Sequence, residues 1–193
     1  QMVRVARPDV WLTIFNMDDP VIGGYAPAQV ALRRAFGLAI DLARELRLLH
    51  QGQAEVAQSL LPPTLWPRPW AHSEMGEYNP ARAQALLDLY GYRDRDGDGW
   101  RERPDGTPLA IDYAIQPDQR SRRFAEGLQK DLARVGVRVT FSTRTFGENL
   151  KRVRAGAAMA WGSARFASSP DVDSLLTLGY GPSVGEANMA RLR

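Results

Sequence analysis

Asp94, Asp96 and Asp98 alternate along the chain, Glu102 follows, and glycines stand at 97 and 99. Carboxylates at alternate positions around a glycine turn are the oxygen donors that a hard cation takes. Read as a calcium loop, Asp94, Asp96, Asp98 and Glu102 fall at positions 1, 3, 5 and 9, with Gly99 at the sharp turn. Position 12 falls on Asp105 where such loops carry a bidentate glutamate, and Pro104 opposes an exiting helix. The alternative is a turn whose aspartates bond their own backbone, with no metal. His50 and His72 are the two histidines, and neither has a spaced acid or a second histidine beside it, which argues against a histidine metal site or catalytic dyad. The glycine-rich stretch 179–185 lacks the Gly-Lys-Ser/Thr ending of a phosphate loop, and no nucleophile elbow occurs. Nothing in the spacing places an acid–base pair, so a hydrolase is the least supported class.

Elements must hold these groups, and the pattern supplies them. Residues 10–15 are β-branched and aromatic and predict a buried strand. Turn residues fill 16–24. Apolar residues at 32, 36, 39, 40, 43, 46 and 49 step by three and four, which predicts one helix over 28–49 that ends at Gly52. The prolines at 62, 63, 67 and 69 predict an ordered loop in which Trp66 and Trp70 are buried. Asn79 caps and Pro80 opens the next helix, with Leu86, Leu87 and Tyr90 as its apolar edge. Strands are expected at 109–115, 137–142 and 157–161. Helices are expected at 119–135, stopped by Gly136, at 146–154, and from Ser169 and Pro170 through Leu178. Strand, helix, strand, helix, strand is an α/β layer.

Composition narrows the class. With 193 residues, 44% of them hydrophobic, the chain can bury a sizeable core. Its 25 basic and 22 acidic residues leave a net charge of +3. They are interspersed, which argues against nucleic-acid binding. Cysteine is absent, so disulfides and thiolate metal sites are excluded. No apolar run reaches the ~18 residues of a membrane span, and no signal peptide is recognisable at the start. Both ends read as cut from something longer.

One ordered set of segments carries a resemblance. It comprises Ile14-Phe15-Asn16 before a proline turn, Leu32-Arg33-Arg34-Ala35 running to Ala39-Ile40-Asp41, Gly52 with Leu61-Pro62-Pro63, and Asn79-Pro80. It continues with Gly91-Tyr92 leading into the acidic loop, Leu128-Gln129 through Gly136-Val137, and Trp161 with Pro170-Asp171. Together these resemble the family 5 extracellular solute-binding proteins, the periplasmic oligopeptide- and dipeptide-binding receptors of ABC importers. The resemblance implies one lobe of a type II periplasmic-binding-protein-like α/β fold, a mixed sheet flanked by helices. Residues 1–193 would then be a single lobe excised between two hinge crossings, with the N-terminal lobe as its missing partner. It further implies a periplasmic protein that takes a peptide or other small-molecule solute and serves a membrane permease, without catalysis, cofactor or membrane insertion.

In peptide-binding relatives a tryptophan is followed three residues later by an aspartate that pairs with the ligand's α-ammonium. Here that position is Ala164, and Arg165 beside it carries the opposite sign, so the resemblance points to a ligand with an anionic or polar acceptor group. The implied ligand-binding set is Asn16, Trp161, Gly162, Ser163, Arg165 and Phe166. Trp161 and Phe166 would offer apolar surface, Arg165 charge pairing, and Asn16 a polar contact at the hinge. Against it stands a reading with Trp161 in the core and Arg165 solvated. The second function class is a calcium-stabilised interaction module built on Asp94, Asp96, Asp98 and Glu102.

Overall fold

The computed structural model describes residues 7–65, 76–167 and 172–193. Four strands form one mixed sheet in the order β1-β4-β2-β3: β1 (Asp9–Phe15), β2 (Ala110–Ile115), β3 (Arg138–Thr143) and β4 (Ala160–Phe166). β2, β3 and β4 are parallel, and β1 pairs antiparallel with β4 along its whole length. The helices are α1 (Pro27–Ala39), α2 (Leu42–His50), α3 (Pro80–Leu89), α4 (Gln119–Ala133), α5 (Phe146–Arg154) and the short α6 (Asp173–Leu176). The expected α/β layer with a mixed sheet is therefore present.

Alternation along β2 sorts its side chains between two cores. Ile111, Tyr113 and Ile115 pack with Leu128 and Leu132 of α4, with Leu32 and Phe36 of α1, and with Leu87 of α3. Ala114 faces the other way, into a cluster of Val153, Ala158 and Trp161. Leu132 and Leu87 are fully buried, and each such leucine contributes roughly 1.5–3 kcal/mol relative to exposure. Local signals place the ends. Asn79 accepts from Arg82 N at 3.0 Å and caps α3, and Asp118 accepts from Ser121 N at 2.9 Å and caps α4. Thr145 and Glu148 form a reciprocal capping box on α5. Gly136 stops the α4 region at φ +73, a left-handed conformation that only glycine takes without strain.

Four expectations need correction. The helix expected over 28–49 is two, because Ile40 is extended and Asp41 caps α2 by accepting from Arg44 N. The break is pinned from outside: the buried Asp131 of α4 accepts from Asp41 N at 3.0 Å and from both Arg44 Nη atoms at 2.8 and 2.7 Å. An i→i+4 pattern cannot register a carboxylate ninety residues away. The last strand starts at Ala160 and continues to Phe166, so 162–166 is ladder, paired residue for residue with β1. β1 is buried only at alternate positions: Val10 and Ile14 are covered, whereas Trp11 is 55% exposed. Finally, 179–185 includes a turn of 3-10 helix, Gly181–Ser183, where a plain loop was expected. The burial expected of Trp66 and Trp70 and the helix start at Ser169 and Pro170 lie outside the described residues.

Candidate functional site

β4 overruns its parallel neighbour. Ala114 of β2 stands beside Trp161, and β2 ends one residue later at Ile115. Residues 163–166, with their β1 partners 9–12, therefore project about 13 Å beyond the carboxyl edge of the sheet at ~3.3 Å per residue. The ribbon is closed by Ala167 N donating to Pro8 O at 3.1 Å. The first turns of α4 and α5 lie at this same edge, because those helices follow β2 and β3. α4 packs into the core on one face and α5 into the core on the other. Open α/β sheets hold ligands where successive connections diverge in this way. Here the crevice between β2 and β3 is closed by the buried Asn149, whose Nδ2 donates to Ile115 O at 2.8 Å and Arg144 O at 3.1 Å. The ribbon is a second feature of this edge, with Trp11 and Phe166 exposed on it.

The expected ligand set distributes over both faces of the ribbon. Trp161, Ser163 and Arg165 share one face with Ile14, Leu12 and Val10; Gly162 and Phe166 share the other with Thr13 and Asp9. Trp161 is buried against Val153 and Ala158, and the half-exposed Phe146 lies over it with ring centroids 5.8 Å apart. Ser163 is buried, and its hydroxyl donates to Ala164 O at 3.4 Å. Arg165 is half-buried. Its Nη2 donates to Ala187 O at 2.7 Å, its Nε is sealed from solvent with no acceptor, and it has no carboxylate partner among the described residues. Burial lowers its pKa from the ordinary arginine value, yet an arginine stays charged in proteins. On the opposite face a Cβ at position 162 would meet Tyr113 Oη at 3.0 Å. Glycine there lets that buried hydroxyl, whose pKa burial pushes up, reach Thr13 Oγ1 at 3.0 Å. Phe166 is exposed.

Asn16 is brought near Trp161, through its backbone N–H donating to Met159 O at 2.9 Å, but not near Arg165. It stands at the base of the ribbon, six residues or about 20 Å along the strand from Val10. Its side chain is committed to the backbone: Nδ2 donates to Gly156 O at 2.9 Å, and Oδ1 accepts from Asp18 N at 3.1 Å.

Sequence reasoning missed a second cluster at the overhang. Arg120, in the first turn of α4, lies over the Trp11 ring with its guanidinium carbon 4.6 Å from the centroid. Its Nη2 is 3.0 Å from His50 Nε2, and the His50 ring meets Trp11 edge-on at 6.4 Å. Arginine can only donate, so Nε2 accepts and the imidazole is neutral with its proton on Nδ1. Burial and then Arg120 both hold the His50 pKa below its ordinary value. The period-2 pattern of β1 contained the signal, since Trp11 must face away from Val10 and Leu12.

The acidic loop lies at the other end of the sheet. Arg101 N donates to Gly136 O just before β3, and Leu109 N donates to Arg101 O just before β2. The loop thus sits at the amino edge, away from the ribbon. Asp94, Asp96, Asp98 and Glu102 do converge, each with a carboxylate oxygen within 4.8 Å of the others. They also close the turn on itself: Asp94 accepts from Gly97 N at 2.7 Å and Gly99 N at 2.9 Å, Asp96 from Asp98 N, Asp98 from Trp100 N, and Glu102 from Arg95 N. Arg138 adds a partner to Asp98 at 3.3 Å.

Comparison with known proteins bears on this arrangement. The family described as bacterial extracellular solute-binding proteins, family 5 Middle, matches residues 1–186. Heme-binding protein A of Haemophilus influenzae is 29% identical over 170 residues, covering 84% of this chain and 28% of that protein. The dipeptide-binding protein of Escherichia coli is 31% identical over 134 residues, covering 66% of this chain and 22% of its own length. The oligopeptide-binding protein AppA of Bacillus subtilis, solved with a nonapeptide, superposes with a TM-score of 0.82 at 18% identity, over 97% of this chain and 36% of that one. That likeness establishes a type II periplasmic-binding-protein fold. The chain spans less than a third of the length of the two curated relatives it matches.

Proposed function

The chain belongs to the bacterial extracellular solute-binding proteins, family 5, and from that premise we propose that residues 1–193 form one lobe of a periplasmic receptor. This receptor captures a small solute, peptide-like or otherwise, and delivers it to the membrane permease of an ABC importer. The observation that carries the reading is the ribbon. Two strands of opposite direction run side by side past the carboxyl edge of the sheet, as a chain crossing to and returning from a second lobe requires. Among the described residues no helix is long and apolar enough to cross a membrane.

In this reading the lobes close on the solute by hinge motion at the ribbon, and binding involves no covalent step. Arg165 presents a desolvated cation lacking a carboxylate partner among the described residues, and the ligand's anionic group completes the pair. The relatives named for dipeptides and heme support a carboxylate as that group, since both kinds of molecule carry one. Phe166 and Phe146 add exposed apolar surface at the same edge.

One lobe offers half a cleft. The solute released from the full-length receptor by denaturation should therefore bind residues 1–193 at least ~100-fold more weakly than it binds the full-length protein. Calorimetric titration of both with that solute tests the assignment, and equal affinities refute it.

A further inference from the structure

On the face of the ribbon opposite Arg165, we infer that Trp11, Arg120 and His50 form a ligand-contacting shelf that takes a carboxylate together with the flat apolar body attached to it. The inference rests on the receptor reading above and adds a site, and a ligand class, to it.

Each member is placed badly for stability and well for contact. Trp11 leaves 55% of its surface exposed on a strand whose neighbours Val10 and Ile14 are covered. Its register partner across the ribbon is Ala164, too small to shield an indole. Arg120 occupies the first turn of α4, where the positive end of the helix dipole disfavours a cation. It has no ion pair among the described residues.

Two acids, Asp118 and Glu45, act on it electrostatically, and neither forms an ion pair with it among the described residues. Asp118 gives one oxygen to Ser121 N at 2.9 Å and the other to Ser121 Oγ at 2.8 Å. Glu45 is carried upward in pKa by burial. His50 accepts one N–H from Arg120 without neutralising it, so four guanidinium N–H groups remain to donate. The indole holds the guanidinium at cation–π distance, and a guanidinium fork recognises a planar carboxylate in two-point fashion. The exposed remainder of the indole receives the apolar body beside it.

The test uses the full-length receptor and follows the Trp11 indole N–H by NMR, assigned with W11F. Two acids, phenylacetate and the dipeptide Ala-Phe, are each titrated against their neutral amides. The shelf predicts that Trp11 responds to at least one acid, and that the matching amide is about tenfold weaker or worse, the worth of a hydrogen bond to a charged group. R120Q should lose that preference, whereas R120K should retain part of it. A preference seen with phenylacetate identifies an aryl acid, and one seen with Ala-Phe a peptide terminus; either supports the shelf. Equal responses to acid and amide in both pairs overturn it, as does no response to any probe, or a charge preference that survives R120Q. The receptor reading stands or falls separately, on whether the full-length protein outbinds its lobe.

Discussion

Arg44 and Arg165 are both partly buried, and their environments predict opposite responses to the same substitution. Arg44 holds the fully buried Asp131 through both Nη atoms, at 2.8 and 2.7 Å. R44M leaves that carboxylate with Asp41 N and the longer 3.9 Å pair to Arg134, which costs about 3 kcal/mol. Among the described residues Arg165 makes one hydrogen bond, from Nη2 to Ala187 O at 2.7 Å, and its buried Nε has no acceptor. R165M gives up a charge-assisted bond worth about 1.5–3 kcal/mol and relieves an orphaned donor that costs about 1–3 kcal/mol. The two nearly cancel, and the methionine keeps the apolar stem. The expected change in stability is therefore within about 1 kcal/mol of zero, although the residue is as buried as many structural arginines. Urea unfolding followed by far-ultraviolet circular dichroism, with a shared m-value, measures both variants. Titration of the full-length receptor with its released solute completes the comparison: R165M should weaken an anionic solute by tenfold or more, while R44M leaves affinity intact wherever the protein is folded. If R165M costs 3 kcal/mol or more and binding is unchanged, Arg165 is a structural residue and the argument from its missing partner fails.

Three further outcomes follow from particular contacts. His50 has a depressed pKa in the fold, so the unfolded chain takes its proton first. Its contribution to stability is complete above the unfolded value of about 6.5 and is lost as pH falls through the folded value. Stability between about pH 7 and 5 should decline more steeply in the wild type than in H50Q, and parallel pH profiles would contradict this. The Asp94–Glu102 turn already satisfies its own backbone, so millimolar calcium against chelator should move Tm by less than about 1 °C. A rise of several degrees would assign the loop to the ion and revive the interaction-module reading. N149A removes the two bonds that join Ile115 O and Arg144 O across the crevice and should cost about 1–3 kcal/mol. Faster amide exchange at the start of α5 would show that the crevice has opened, and unchanged exchange would count against its closing role.

The sequence by itself determined what depends on neighbours a few residues away. The cap at Asn79, the stop at Gly136, the amphipathic faces of α4 and α5, and the alternation of β2 are all local interactions that a single strand of text contains. The acidic turn was legible for the same reason: its aspartates bond amides two to five residues on. The order of these segments also sufficed to indicate the family. Only the tertiary structure decided what depends on pairing across the chain. The break between α1 and α2 is held by Asp131, ninety residues beyond Asp41. The run 161–166 became strand because β1, about 150 residues earlier, supplies its ladder, and that register alternates its side chains between two faces. One consequence is that Trp161 and Arg165 part company with Phe166. Another is that Trp11 meets Arg120 and His50, three residues whose separations of up to 109 positions carry no periodic signal. Faces and edges are properties of a register, and a register exists only once distant strands have met.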